Sequence, residues 1–378
     1  MNVAFDASAI LGRSGIERYS RELIKGLLRN ELVDGVTLAA SEDDHGKVAS
    51  YFAPFSRARV VERIPNERRL GAPLRGLMRL VQRRRMSSAF EGTDLVHLLA
   101  PGKIIPRQRP VVTTIHDLFP MYPEMGLDPI LVRRFPGRIR RHLEASSAIM
   151  CPSAYTASTI GEFFPECRIP IHVTPLAAGD EFTPTPLEHD VMQRYALRKP
   201  YILFVGRLDP RKNLHRMMYA WSLLPESLRR NAEFILIIAG GQAQADQFRE
   251  GHRSVLSDAS VRVITDVPTD HIVQLLSQAR ALAFASLGEG FGLPVLEAMR
   301  CGCPVITSQN TSLPEVGGDA ALYVEPTRAE SIAHAMQQCL EDDALVARLR
   351  AAGLQRSAPF TWDLTARATS DVYRSVCG

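Results

Sequence analysis

The sequence predicts a parallel α/β protein built as two successive open sheets. Three observations predict it. Short β-branched runs alternate with helix-patterned stretches along the whole chain, the pattern of parallel strands joined by crossover helices. The 378 residues exceed an ordinary single domain and suit two. A proline-containing break then separates the alternation into two halves.

In the first half the expected strands are 2–5, 36–39, 95–98, 111–115, 148–151 and 171–174, with helices between them. In the second half, 201–205, 234–238, 261–264, 281–285, 304–307 and 321–324 repeat the arrangement. The break starts at Phe182-Thr-Pro-Thr-Pro-Leu187 and runs to Lys199-Pro200, with three prolines and no strand pattern. This places a first domain at 1–183, a linker at 184–199 and a second domain at 200–360. The final stretch, 361–378, has Trp362, Leu364, Ala368, Val372 and Val376 at helical spacing, a helix able to pack across domains. No internal repeat argues for a solenoid.

Composition excludes several classes. With 46% apolar and 23% charged residues the chain lacks the signature of disorder. No apolar run approaches the roughly 18 residues of a membrane span. Met1-Asn2-Val3-Ala4-Phe5-Asp6 has no basic n-region and reads as a first strand of a cytoplasmic protein, not as a secretory signal. Six scattered cysteines suit a reducing compartment, and Cys301-Gly-Cys303 lacks the second ligand pair of a zinc site.

The net charge of +4 is modest but unevenly placed. From Arg57 to Arg85 ten arginines face only Glu62 and Glu67, and Leu70, Leu74, Leu77, Met78 and Val81 recur at helical spacing. An amphipathic basic helix there suits an anionic membrane surface, or equally a solvated face over a core stripe. Arg133, Arg134, Arg138, Arg140, Arg141 and His142 form a second cluster. Nucleic acid is the weaker option and is not expected as a partner, since no nucleic-acid motif accompanies these arginines and the whole-chain charge is small.

Three motifs sit where α/β proteins bind ligands. Leu11-Gly12-Arg13-Ser14-Gly15 lies between the first strand and a helix, where glycines let backbone N–H groups approach a phosphate, or simply form a tight turn. Gly206-Arg207-Leu-Asp-Pro-Arg211-Lys212-Asn213 closes a strand and offers fixed cations to a diphosphate. Ser286-Leu-Gly288-Glu289-Gly290-Phe291-Gly292-Leu293-Pro294-Val-Leu-Glu297 is the most informative. Its alternating glycines can present amides to a ligand, Pro294 suits a first helical turn, and Glu289 and Glu297 can accept hydrogen bonds from sugar and ribose hydroxyls.

Together these motifs resemble the retaining nucleotide-sugar glycosyltransferases of family four, and the resemblance covers nearly the whole chain. It implies the GT-B fold, two Rossmann-like domains facing an interdomain cleft. Glu289 and Glu297 match the ends of the family's E-x7-E motif, Arg207 and Lys212 its phosphate-binding pair, and Gly12 to Gly15 its N-terminal glycine loop. The resemblance also gives His116, in His116-Asp117-Leu118, the place of the family's histidine beside the donor sugar. Ser153 matches a serine at a strand end, where it can equally cap the next helix. The chain departs from the family at Glu17, where many relatives have glycine, and at Leu176-Ala-Ala-Gly179-Asp180, which replaces an asparagine-glycine turn.

The resemblance implies that Glu289 contacts the transferred sugar and Glu297 the ribose, with Arg207 and Lys212 neutralising the departing diphosphate, and that Gly290, Phe291, Gly292 and Leu293 line the donor. It implies front-side attack with retention of configuration and no covalent nucleophile. No D-x-D carboxylate pair occurs in the chain, so transfer without a metal is expected. There is no cofactor in this reading; a nucleotide diphosphate sugar is the donor substrate, GDP-mannose by similarity to bacterial O-antigen and exopolysaccharide mannosyltransferases. A glycan or polyprenyl-diphosphate-linked saccharide would be the acceptor, met in the cytoplasm or peripherally on the inner face of the cytoplasmic membrane. Two other readings are an acceptor-independent GT-B epimerase or hydrolase, and a catalytically silent sugar-nucleotide-binding protein.

Overall fold

The computed structural model describes residues 1–12, 15–63, 89–102, 104–106, 108–122, 125–253 and 258–378. They form two compact units. The first comprises Met1–Tyr122, Asp128–Leu176 and Thr361–Gly378; the second is Ala177–Phe360 together with 125–127.

The first unit is a parallel sheet of β1 (Asn2–Asp6), β2 (Gly35–Ser41), β3 (Ala58–Arg63), β4 (Leu95–Leu98), β5 (Val111–Thr114), β6 (Ala148–Cys151) and β7 (Ile171–Val173). Among the described residues its order is β3-β2-β1-β4-β5-β6-β7. Every residue of β4, β5 and β6 is buried, as expected where helices cover both faces of a parallel sheet. Ile115, Leu118, Ile139, Leu143 and Ile160 pack beside β6 in one cluster. Strand β3 lies inside the segment read from sequence as strongly basic. It is an edge strand, where charged side chains such as Arg59 face solvent and blunt further pairing. The helical pattern of Leu70 to Val81 lies outside the described residues.

The helix Trp362–Cys377 packs on the helix Gly15–Arg29 within this unit. A Cβ at Gly26 would stand 2.9 Å from the Ala366 Cβ and 3.2 Å from the Trp362 carbonyl, so the two backbones meet at a glycine. Asn30 Nδ2 donates to Asp363 at 2.7 Å, and Thr365 Oγ1 to the Pro175 carbonyl at 2.7 Å. In the second cationic cluster, on the helix Pro129–Ala145, Arg133, Arg134, Arg140 and Arg141 are exposed. His142 instead turns inward and bonds the Gly102 carbonyl at 3.0 Å.

The second unit is a parallel sheet of β8 (Tyr201–Gly206), β9 (Glu233–Ile238), β10 (Val261–Thr265), β11 (Ala281–Phe284), β12 (Val305–Ser308) and β13 (Leu322–Val324). Its order is β10-β9-β8-β11-β12-β13. The stretch read as a linker carries a short helix, His189–Arg194, and is tied down by Thr185 N to Ser277 Oγ at 3.0 Å and Glu188 N to Gln274 Oε1 at 2.9 Å. A shallow groove of about 370 Å³ runs between Pro184, Pro186, Cys301, Arg350 and Leu354, away from the motif residues.

Strand order reverses between β1 and β4 in the first sheet and between β8 and β11 in the second. In open α/β sheets, ligands bind outside the carboxyl ends of the strands at such a reversal.

Candidate active site

In the second unit both strands at the reversal end in motif residues. Strand β8 delivers Arg207, which is exposed, and then a single 3-10 turn, Pro210–Lys212, capped by Asp209. Arg211 is not the open cation that spacing alone implies, because its guanidinium forks onto Asp209 with Nη2–Oδ2 at 2.8 Å. Burial works to raise the Asp209 carboxyl, and the Arg211 guanidinium outweighs it, holding the group below its ordinary value. Asn213 follows in the left-handed region at φ 57°, and its Nδ2 stitches the loop to the Ala285 and Pro326 carbonyls at 2.9 and 2.7 Å.

That turn places Lys212 against the β11 loop. Its Nζ meets Glu289 Oε1 at 2.6 Å and lies 4.8 Å from the centre of the Phe284 ring. The two side chains are only 16% and 11% exposed, so the pair is drawn mostly out of water. Gly292, at φ 116°, needs glycine twice over, since a Cβ would also come within 2.8 Å of Leu313 Cδ2. The chain then enters the helix Leu293–Arg300 with Pro294 in its first turn, and Glu297 sits buried one turn in. Phe291 is buried edge-on to Phe360, with ring centroids 6.1 Å apart.

In the first unit Gly12 lies beyond the end of β1, and the helix Gly15–Arg29 starts at Gly15. Gly12 has φ 142° and lies against the Glu17 carboxylate, where a Cβ would approach within 2.8 Å. Glu17 therefore fills the space in front of the turn. Arg21 Nη1 fastens the same turn by donating to the Ile10 and Gly12 carbonyls at 3.0 and 2.9 Å.

His116 follows β5. Its Nε2 is 2.8 Å from the Leu99 carbonyl, and a carbonyl only accepts, so Nε2 carries the proton. Burial pushes the imidazole below its ordinary pKa, which keeps the ring neutral and makes Nδ1 an acceptor. The Tyr19 ring stands edge-on to it at 4.9 Å. Behind Tyr19 runs a buried file of hydrogen bonds. Tyr19 OH meets Thr114 Oγ1 at 2.9 Å, Thr114 Oγ1 meets His97 Nε2 at 2.7 Å, and His97 Nδ1 meets Tyr373 OH at 2.6 Å. Ser153 accepts from the Thr156 N–H at 3.1 Å, the helix-capping reading of that residue.

The structure thus gathers Arg207, Lys212, Glu289, Gly290, Phe291, Gly292, Leu293 and Glu297 around one strand reversal, and Gly12, Gly15 and His116 at strand ends of the other sheet. Sequence reasoning missed Tyr19, His97, Thr114 and Tyr373, and also the run Ser308–Ser312 beside the glycine loop. Among the described residues no group of three or more His, Cys, Asp or Glu converges to hold a metal ion.

Two Rossmann-like units, the second with a cation and carboxylates at its strand reversal, are the architecture of the GT-B fold. Comparison with known proteins gives the family. Residues 13–177 match the model described as Glycosyltransferase Family 4, and residues 190–356 that described as Glycosyl transferases group 1. The chain is 30% identical over 376 residues to O-antigen chain mannosyltransferase B of Escherichia coli, covering 96% of each. It is 31% identical over 286 residues to the serotype-specific mannosyltransferase WbdA of Escherichia coli, covering 74% of this chain but only 35% of that longer relative. The crystal structure of Anabaena Alr3699/HepE in complex with UDP and glucose shares the fold at a TM-score of 0.74 and 17% identity, covering 99% of this chain and 100% of that one. The chain belongs to this glycosyltransferase family, whose members carry a sugar from a nucleotide donor to an acceptor.

Proposed function

We propose that the protein transfers mannose from GDP-mannose to a lipid-linked or polysaccharide acceptor during assembly of a cell-surface glycan. One observation carries the transfer chemistry: a cation suited to a leaving diphosphate and a carboxylate suited to sugar hydroxyls meet at 2.6 Å at the β8/β11 reversal. The similarity to an O-antigen mannosyltransferase along almost its full length supports the choice of sugar.

In this reading Glu289 accepts hydrogen bonds from the sugar hydroxyls and Glu297 from the ribose. When donor arrives, Lys212 turns part of its interaction from Glu289 to the diphosphate, and Arg207 joins it. Cations fixed beforehand stabilise charge developing on the leaving group without reorganising at the moment of reaction. The amides of Gly290, Phe291, Gly292 and Leu293, at the start of a helix, add donors. In the first unit His116 Nδ1 accepts from a sugar hydroxyl, while Gly12 and Gly15 let backbone approach the substrate. The acceptor oxygen bonds to the anomeric carbon as the bond from that carbon to the phosphate oxygen breaks. The acceptor's proton passes to the departing phosphate, so no side chain acts as covalent nucleophile.

Two further parts belong to the proposal. Transfer proceeds without a metal, so activity lost to EDTA and restored by a divalent ion would contradict it. The protein works in the cytoplasm, held peripherally on the anionic inner face of the membrane; no helix among the described residues is long and apolar enough to cross one. Failure to sediment with anionic liposomes at low salt would remove the attachment.

The melting temperature with GDP, UDP, ADP and dTDP tests the donor. A ligand at about 100 times its Kd adds roughly 2.7 kcal/mol to the folded state. Selective stabilisation by GDP, followed by consumption of GDP-mannose with a saccharide acceptor, is the expected result. Selective stabilisation by UDP would overturn the mannose assignment.

A further inference from the structure

His116 is gripped both at Nε2 and along its ring. Nε2 donates to the Leu99 carbonyl at 2.8 Å, and the Tyr19 ring stands edge-on, with centroids 4.9 Å apart and planes crossing at 80°. The χ2 torsion of a histidine is broad, so one hydrogen bond at Nε2 still lets the imidazole rock about that contact. A ring packed alongside removes much of the remaining freedom. Tyr19 is fully buried while His116 stays partly accessible, so the tyrosine backs the imidazole from the protein interior.

Tyr19 belongs to the helix Gly15–Arg29, yet strand residues fix its far end. Its OH meets Oγ1 of Thr114 at 2.9 Å, and Thr114 is the last residue of β5, two positions before His116. On the neighbouring strand β4, His97 stands 2.7 Å from the same Oγ1 and two positions before Leu99, the residue that holds His116. Tyrosine and histidine therefore take their places from the same two strand ends. Tyr373 OH meets His97 Nδ1 at 2.6 Å and closes the file. All four side chains are buried. Apolar residues would fill such a layer at less desolvation cost, whereas a fully paired polar layer adds rigidity.

We propose that Tyr19 and Thr114 are positioning residues for His116: their hydrogen bond holds the tyrosine ring against the imidazole, so that Nδ1 keeps a single direction. The proposal rests on the reading in which Nδ1 accepts from a sugar hydroxyl, but not on the identity of the base or sugar. Neither residue touches substrate. Hydrogen bonds weaken steeply when misaligned, so a rocking imidazole loses its contact with the reacting sugar and leaves the contacts of the nucleotide as they were.

Nitrogen NMR of the full chain with labelled histidines reads the imidazole directly, its signals being assigned by their loss in His116→Ala. At alkaline pH the wild type should show the widely separated Nδ1 and Nε2 shifts of one fixed Nε2–H tautomer. Tyr19→Phe keeps the ring and loses the hydroxyl, and in it the two shifts should draw together. For the sugar nucleotide that the wild type consumes, kcat should fall about tenfold in this variant while KM and the calorimetric affinity for the matching nucleoside diphosphate stay within about twofold. Thr114→Val should act alike and Thr114→Ser should restore both readouts; Tyr19→Phe decides the matter if Thr114→Val does not fold. Unchanged shifts in Tyr19→Phe would overturn the positioning role, and so would altered shifts with full turnover, or an equal loss of nucleotide affinity. Full turnover in His116→Ala would instead overturn the sugar contact itself, and the proposal with it, whatever the spectra of the other variants show.

Discussion

Lys212 and Glu289 each lose hydration at the loop and compensate one another across 2.6 Å. Removing one member of such a pair leaves the other partly buried and uncompensated, so their substitutions act through ligand binding and local packing at once. Glu289→Ala is expected to reduce turnover by about 100- to 1000-fold, the size usual for loss of one preorganised electrostatic group. Stabilisation by GDP should survive, because the nucleotide's other contacts remain; a vanished nucleotide shift in a folded variant would remove Glu289 from its assigned role. These two residues were legible in the sequence because glycines, a strand end and a following proline restrict the backbone around them. The run Ser308–Ser312 was not, since its hydrogen bonds to the glycine loop join residues more than twenty positions apart. Nor was the hydrogen-bonded file behind His116, whose His97 and Tyr373 lie 276 positions apart.

Strands that form short apolar or β-branched runs were legible, the edge strands β7, β10 and β13 among them. Strands β1, β4, β6, β8, β9 and β11 are almost wholly apolar runs and stand out against helical periodicity, whereas the edge strand β3, with Arg59 and Glu62, merged into its basic surroundings. Helix contacts leave a fainter trace. Gly26 gives the helix Gly15–Arg29 its close approach to Trp362–Cys377, and one glycine in a helix has no unique reading. Gly26→Leu should cost about 1–3 kcal/mol by overpacking, seen as a lower urea midpoint; an unchanged midpoint would mean that the helices separate freely there. The polar layer beneath carries a pH signature. Burial holds the His97 imidazole down at about 3, far below an unfolded histidine, so the unfolded chain binds the extra proton first. The stability from keeping His97 neutral is therefore fully present above about pH 6.5. It is lost on acidification toward about pH 3, at roughly 1.4 kcal/mol per pH unit. Melting temperatures measured from pH 7 to pH 4 should fall less steeply in His97→Gln, and parallel slopes would exclude His97 as a source.

At the scale of the whole molecule, the first unit is assembled from both ends of the chain while the second is nearly continuous. Deleting 361–378 should lower a calorimetric transition belonging to the first unit and leave that of the second unit in place; a matching drop in both would show that the units unfold as one. The same connectivity sets an order of events on the ribosome. After Leu176 the ribosome must make the whole second unit before Trp362 and Tyr373 emerge, a delay of roughly 10–40 s at about 5–20 residues per second. Through that interval the nascent first unit holds Tyr19, Thr114 and His97 without their last partner, and chaperones have their longest opportunity there. Codon choice across the second unit's message, which alters no side chain, would then change the yield of the first.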